Sequence, residues 1–299
     1  MALSDNLRGA IYMNCAMAGF TFNDAFMKAA TETLPLYQAI LMRGVLTGLA
    51  LLALGLAIGG VRVTLPRRDA GIIALRSLAE VAGTALFLTA LLHMPLANLS
   101  AILQFLPLAV TLAAALIYRE VIGWRRMSAI FVGFLGILII IRPGTDGFDV
   151  WSVLGLGAVV CVVVRDLATR RLSGAVPSVT VALWASASVS VMGAVGMAVQ
   201  GWSPPTLSEA LFVSAAASAL VVGYMFSVMV MRVGDIGFVA PFRYTALLWA
   251  ILLGWLIFGS LPDLWTVIGA AIVVTTGVFT LLRERRLART PADLAIPPA

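Results

Sequence analysis

Arg76 and Glu80 are opposite charges four residues apart inside an otherwise apolar run, IIALRSLAEVAGTALFLTALL. At that spacing both sit on one face of a helix, where they can pair. The pair fits a mutually neutralising structural bridge, and equally a carboxylate held by a cation and responsive to protons or substrate. Arg43 and Arg243 are further cations within apolar runs. A charge at the centre of a membrane helix costs about 2.5–3.5 kcal/mol on insertion scales, so such residues face a partner or a watery cavity. For Arg43 the packing or interfacial-anchor role is the simpler one. Arg243 follows Pro241, and a proline frees the carbonyl one turn earlier, offering polar groups to a ligand. Asn14, Thr21 and Lys28 recur every seven residues, with Asp24 beside them, and Ser100, Gln104 and Thr111 repeat the idea later in the chain. Such stripes either bond between helices or line a water path. Asn14, Glu80, Gln104, Phe105, Arg243 and Tyr244 are therefore the expected substrate-binding residues. Arg243 would hold a carboxylate, while Phe105 and Tyr244 take an apolar part. Arg76 and Glu80 form the expected coupling or structural pair.

Other chemistry finds little support. There is one histidine, His93, expected at a solvated turn, and two cysteines, Cys15 and Cys161, each within an apolar run. No metal, cofactor or catalytic residue is expected. The chain has no Gly-x-Ser-x-Gly, no His-Glu-x-x-His and no phosphate-binding loop, which speaks against an enzyme or an ATP-driven pump. A filter-like loop or charge ring, as a channel would need, is also missing.

The elements that must position these residues are membrane helices. Of 299 residues 61% are hydrophobic and only 11% charged, against about a quarter charged in soluble domains. A hydrocarbon core of roughly 30 Å needs about 20 apolar residues in a helix. Apolar runs bounded by charges, Pro or Gly predict ten spans, near 9–27, 34–59, 70–92, 95–117, 124–141, 150–168, 176–199, 209–231, 236–258 and 264–282. Asn14, Asn23 and Asp24 interrupt the first, and no Ala-x-Ala follows, so it is expected to remain as an uncleaved span.

The net charge of +6 is explained by topology rather than by nucleic acid. With the N-terminus in the cytoplasm, 15 Arg fall on inside segments, including Arg165, against Lys28 and Arg142 outside. That is the positive-inside pattern for ten spans with both termini cytoplasmic. The chain also repeats: Trp124 meets Trp265 and Gly136 meets Gly277 at an offset of 141 residues, and LIYRE meets LIFGS at 140. Because five spans per copy is odd, the second copy enters from the opposite side. The expected fold is an all-α membrane protein of ten transmembrane helices in two inverted five-helix repeats, the architecture of alternating-access transporters. Residues 1–145 form the first repeat, 146–285 the second and 286–299 a disordered cytoplasmic tail.

The spacing of Pro107, Glu120, Gly123, Arg125, Arg126, Gly133, Gly136, Arg142, Pro143 and Gly144 resembles the drug/metabolite transporter superfamily, EamA type, as do Asp24, Lys28, Pro35, Gln38 and Arg43. The second copy departs from the pattern, with Ser260 where the first has Glu120. The resemblance implies a secondary transporter in a bacterial inner membrane that exports small metabolites, amino acids and aromatic ones prominent among them, with a monomer sufficient for transport. The expected partners are a small-molecule substrate and the lipid bilayer. A multidrug or other metabolite permease is the nearest alternative; a membrane-embedded enzyme or a channel would be a different class.

Overall fold

The computed structural model describes residues 5–57, 60–61, 65–118, 123–142, 149–173, 175–230 and 239–289. Its helices, in chain order, are α1 (Asp5–Ala30), α2 (Leu36–Ala57), α3 (Arg67–His93), α4 (Leu96–Leu103), α5 (Leu106–Tyr118), α6 (Trp124–Ile141), α7 (Val150–Arg170), α8 (Ser178–Gln200) and α9 (Leu207–Val230). A 3₁₀ turn (Ala240–Tyr244) then leads into α10 (Thr245–Phe258) and α11 (Leu264–Arg289).

Among the described residues eight helical segments are long and apolar enough to cross a membrane, and a shorter one, Met127–Ile141, is apolar too. Helix α1 has the length, 26 residues, but carries Asp5, Arg8, Asp24 and Lys28. Large apolar side chains such as Leu49, Leu56, Leu116 and Val199 are exposed on the outside of the bundle, a surface suited to lipid rather than water. Trp124, Trp202 and Trp265 are exposed at helix ends, where tryptophans sit at membrane–water interfaces.

Two segments are broken at related places. Between α4 and α5 the helix tightens at Gln104 and Phe105, whose amides bond to Ala101 O and Ile102 O, three residues back. Pro107 explains the break, since its ring displaces the carbonyl four residues earlier and it has no N–H to donate. About 140 residues further on, the 3₁₀ turn over Ala240–Tyr244 carries Pro241 near its start. The α4–α5 segment is the most buried of the candidate spans, and Leu96, Leu99, Ile102 and Leu108 are wholly enclosed in the core.

Among the described residues, counting α4 with α5 and the 3₁₀ turn with α10 gives ten helical rods. The main packing partners are α1 with α9, α3 with α7, α2 with α8, α6 with α11, α1 with α10, α7 with α4–α5, α3 with α8, α2 with α9, and α4 with α10. This list is unchanged when each rod is exchanged for the one five places along the chain. Connections meet at two ends. Thr33 donates to Glu209 (2.5 Å), Gln38 bridges Ser203 (2.6 and 3.0 Å), and Arg142 pairs with Asp263 at one end. Asp69 meets Ser173 (2.7 Å) at the other.

Helices α6 and α11 approach through Gly136 and Gly269. A Cβ on Gly269 would lie 2.5 Å from the carbonyl oxygen of Gly136, so this contact tolerates no side chain. Overpacking of this kind costs about 1–3 kcal/mol, and Gly269→Ile should lower the unfolding temperature of the purified protein, whereas Gly123→Ala, which meets open space, should not.

Several sequence expectations fall at or beyond the limits of the described residues. Helix α11 continues to Arg289, four residues into the expected tail, and residues 290–299 lie outside those described. So do 143–148, which contain the expected repeat boundary, Pro143 and Gly144, and 119–122, which contain Glu120.

Candidate functional site

Glu80 lies midway along α3, one turn after Arg76 on the same face. Arg76 Nη2 stands 3.5 Å from Glu80 Oε2, and Arg165 Nη1 of α7 stands 3.5 Å from Oε1, so two cations flank one carboxylate. Arg165 is itself held by the next residue, with Nε and Nη2 both 3.0 Å from Asp166 Oδ1. Arg76 Nε donates to Thr169 Oγ1 at 3.1 Å, and that hydroxyl donates to the Arg165 carbonyl at 2.8 Å. The α3–α7 packing therefore carries a continuous polar seam through the apolar bundle.

A second group joins it from α1 and α2. Arg43 Nη1 donates to Asn23 Oδ1 at 3.3 Å, and Asn23 Nδ2 donates to Asp24 Oδ1 at 2.9 Å. Arg43 feels the charge of both Asp24 and Glu80. Tyr224 of α9, edge-on to Phe20 at 5.6 Å between centroids, is within electrostatic reach of Glu80, Arg165, Arg76 and Arg43. Arg243, on the 3₁₀ turn, is within electrostatic reach of Asp166 and Arg165. Six segments of the chain thus contribute charged or phenolic groups to one region.

Burial within the cluster is graded. Arg43 and Arg76 are each only 8% exposed, while the Arg165 and Asp166 side chains are 27% and 28% exposed. Arg243 and Tyr224 are half-buried. Among the described residues three buried atoms of the cluster have no hydrogen-bond partner: Arg43 Nε, Arg76 Nη1 and Glu80 Oε2.

Of the intramembrane charges singled out in the sequence, Arg76 and Glu80 meet directly here, and Arg43 and Arg243 lie within electrostatic reach of the group. The other expected site residues stand elsewhere. Asn14 Oδ1 accepts from Trp249 Nε1 at 2.9 Å, tying α1 to α10. Gln104, at the α4–α5 break, is buried and donates back to Ser100 O at 3.3 Å. Phe105 lies in the core beside Phe134 and Gly133 of α6. Tyr244 adjoins Arg243 but buries its hydroxyl against Gly277 of α11.

Sequence reasoning missed three contributors. Arg165 was counted among the cytoplasmic charges, yet it points at Glu80 from within α7. Asp166 escaped notice beside it, and Tyr224 was no more than one aromatic of many. The signal was present, since Arg165 and Asp166 both fall inside the expected span 150–168.

At the end of the bundle bearing His93, a separate cavity of about 780 Å³ is lined by Lys28, Glu32, His93, Pro95, Phe258 and Ser260 among others. Lys28 Nζ closes one wall by donating to Leu91 O (2.5 Å) and Met94 O (2.8 Å) at the end of α3. His93 stacks flat on Trp151, with centroids 3.7 Å apart.

The model of the EamA-like transporter family matches this chain twice, over residues 7–142 and 149–283. The chain belongs to the EamA-like transporter family. It is an EamA-type permease of the drug/metabolite transporter superfamily: a multi-pass membrane transporter of small molecules, not an enzyme. Among its relatives is the riboflavin transporter of Vibrio cholerae, 29% identical over 240 residues, 79% of this chain and 80% of that one. The S-adenosylmethionine uptake transporter of Rickettsia prowazekii is 24% identical over 95% of this permease and 96% of its own length. The pseudopaline exporter of Pseudomonas aeruginosa is 26% identical over 90% and 95%. A solved crystal structure shares the fold with a TM-score of 0.65, covering 94% of the permease and 98% of its own chain at 19% identity.

Proposed function

We propose that this permease is a secondary transporter of small metabolites, amino acids or related compounds, that exports them across a bacterial inner membrane by alternating access. It spans the membrane ten times, with α1 as the first span, both termini cytoplasmic and two inverted five-helix repeats, 1–145 and 146–285. The observation that carries this reading is the packing list that survives exchange of each rod for the one five places along. Inverted halves of one fold can exchange conformations, turning an inward-open state into an outward-open one with no helix unfolded. The paired breaks at Gln104–Phe105 and Ala240–Tyr244 support a substrate site between the halves, since interrupted spans in corresponding positions mark the binding region of such carriers.

The charge cluster at Glu80 is the centre of that site, with Arg243 on the broken span as a substrate-binding residue. Gln104 at the opposite break, with Asn14, Phe105 and Tyr244, would meet the substrate as the halves move. The relatives named for uptake and for export share this family, so direction follows from the gradients rather than from the fold. Counterflow in sealed vesicles tests the mechanism: a carrier exchanges labelled for unlabelled amino acid saturably. Flux that never saturates would indicate a channel instead.

Topology has its own test. Single cysteines at Arg67 and Arg170, both exposed, should react with an impermeant thiol reagent only from the cytoplasm. A cysteine at Trp202, in the connection after α8, should react only from outside. Labelling of Arg67 and Trp202 positions from one side would exclude the inverted arrangement.

A further inference from the structure

Ionic bookkeeping in the cluster leaves a remainder. Among the described residues four guanidiniums, Arg43, Arg76, Arg165 and Arg243, share this region with three carboxylates, Asp24, Glu80 and Asp166. The two acids with direct ion pairs are taken up around Arg165: Glu80 is shared between Arg76 and Arg165, and Asp166 chelates Arg165. Among the described residues Arg43 has the Asn23 amide oxygen as its one hydrogen-bond acceptor, and Asp24 is bonded to Asn23 rather than to it.

The unmatched donors lie at the buried end. Among the described residues Arg43 Nε and Arg76 Nη1 are enclosed without an acceptor, as Glu80 Oε2 is without a donor, and the two arginines are each 8% exposed. A buried donor without an acceptor forfeits its full desolvation cost, and more so when it is charged. Native proteins rarely leave such groups, and a ligand is one of the standard reasons for them. Arg76 pairs with Glu80 at 3.5 Å, Arg43 lies within electrostatic reach of the same carboxylate, and Arg165, Asp166 and Arg243 remain partly exposed. Planar guanidinium forks bind carboxylate and phosphate oxygens in pairs of parallel hydrogen bonds. The aromatic rings of Phe20 and Tyr224 border the same region and supply an apolar wall.

We propose that the transported substrate is a small anion, among amino acids one with net negative charge, and that its carboxylate or phosphate group docks on the unpartnered donors of Arg43 and Arg76, offsetting the surplus cation. This rests on the transporter reading for the word transported; the anion site itself does not need it. Glu80 holds Arg76 in place without consuming both of its terminal amines, and Asp166 does the same for Arg165. A neutral or cationic substrate would leave the surplus guanidinium unbalanced.

The purified full-length protein, held at constant ionic strength, is titrated with four probes sharing one ring: phenylacetate, phenyl phosphate, uncharged 2-phenylethanol and cationic phenethylamine. Either anion should raise the unfolding temperature saturably, and the other two should not. A response to phenylacetate alone identifies a carboxylate as the docked group, and one to phenyl phosphate alone a phosphate ester. Arg43→Gln should weaken anion binding at least about thirtyfold, as expected for the loss of one desolvated charge contact. Arg43→Lys should recover part of it, and Arg8→Gln, at the exposed start of α1, should bind as the parent does. Equal stabilisation by 2-phenylethanol, no response to either anion, or unchanged affinity in a folded Arg43→Gln protein would overturn the proposal. Vesicle counterflow separates this from the transport reading. Saturable exchange of solutes by a protein that binds no anion sinks the anion site alone, while anion binding without any exchange sinks the carrier and keeps the site.

Discussion

Glu80→Gln should destabilise the protein by about 3–5 kcal/mol, the cost of removing one member of a buried ionic group and leaving the other uncompensated. The reason is that Glu80 is the carboxylate paired with Arg76 and the second one paired with Arg165, at 3.5 Å each. Arg165 retains Asp166 at 3.0 Å, so the main loss falls on Arg76, which keeps only Thr169. The double variant Arg76→Gln with Glu80→Gln should accordingly be more stable than Glu80→Gln alone, because no orphaned cation remains. Thermal unfolding of the three purified variants forms the cycle. Additive losses would mean that the two side chains do not depend on each other.

Arg243→Ala is expected to do the reverse, leaving the protein folded while transport fails. Asp166, the acid within electrostatic reach of Arg243, is already bonded twice by Arg165, so removing Arg243 strands no carboxylate. Arg243 is also half-buried and sits on a 3₁₀ turn rather than within a helix, which limits the packing lost. If its guanidinium contacts the substrate, losing that contact costs about 2–5 kcal/mol of binding, and counterflow should fall by thirtyfold or more at subsaturating substrate. A folded Arg243→Ala protein that exchanges substrate with unchanged affinity would remove this residue from the site and leave the architecture intact.

The two variants differ because of connectivity that no residue type announces. In the sequence Glu80 looked like half of a local pair with Arg76, and Arg243 like an isolated charge in an apolar run. One turned out to anchor a three-member ionic group whose far member, Arg165, lies 85 residues further along the chain, while the other borders a pair complete without it.

What the sequence determined by itself was everything that depends on a single helix. The length of an apolar run decides whether it can cross a bilayer, and Pro107 and Pro241 mark where a span breaks because proline removes an N–H wherever it stands. The intramembrane charges were legible for the same reason, since their cost in lipid does not depend on neighbours. The Arg76–Glu80 contact was legible because helical geometry fixes residues four apart.

What tertiary structure decided was which way each helix faces. In a soluble protein the apolar stripe reveals the buried side, but a helix apolar all round carries no such mark. Between membrane helices the choice falls to close fit and scattered hydrogen bonds, such as Gly136 against Gly269 or Asn14 against Trp249. Phe105 therefore faces α6 and the core, while Tyr224, one ring among many in the sequence, borders the charges. Arg165 could be counted with the cytoplasmic loops until α3 packed against α7 and set Glu80 opposite it.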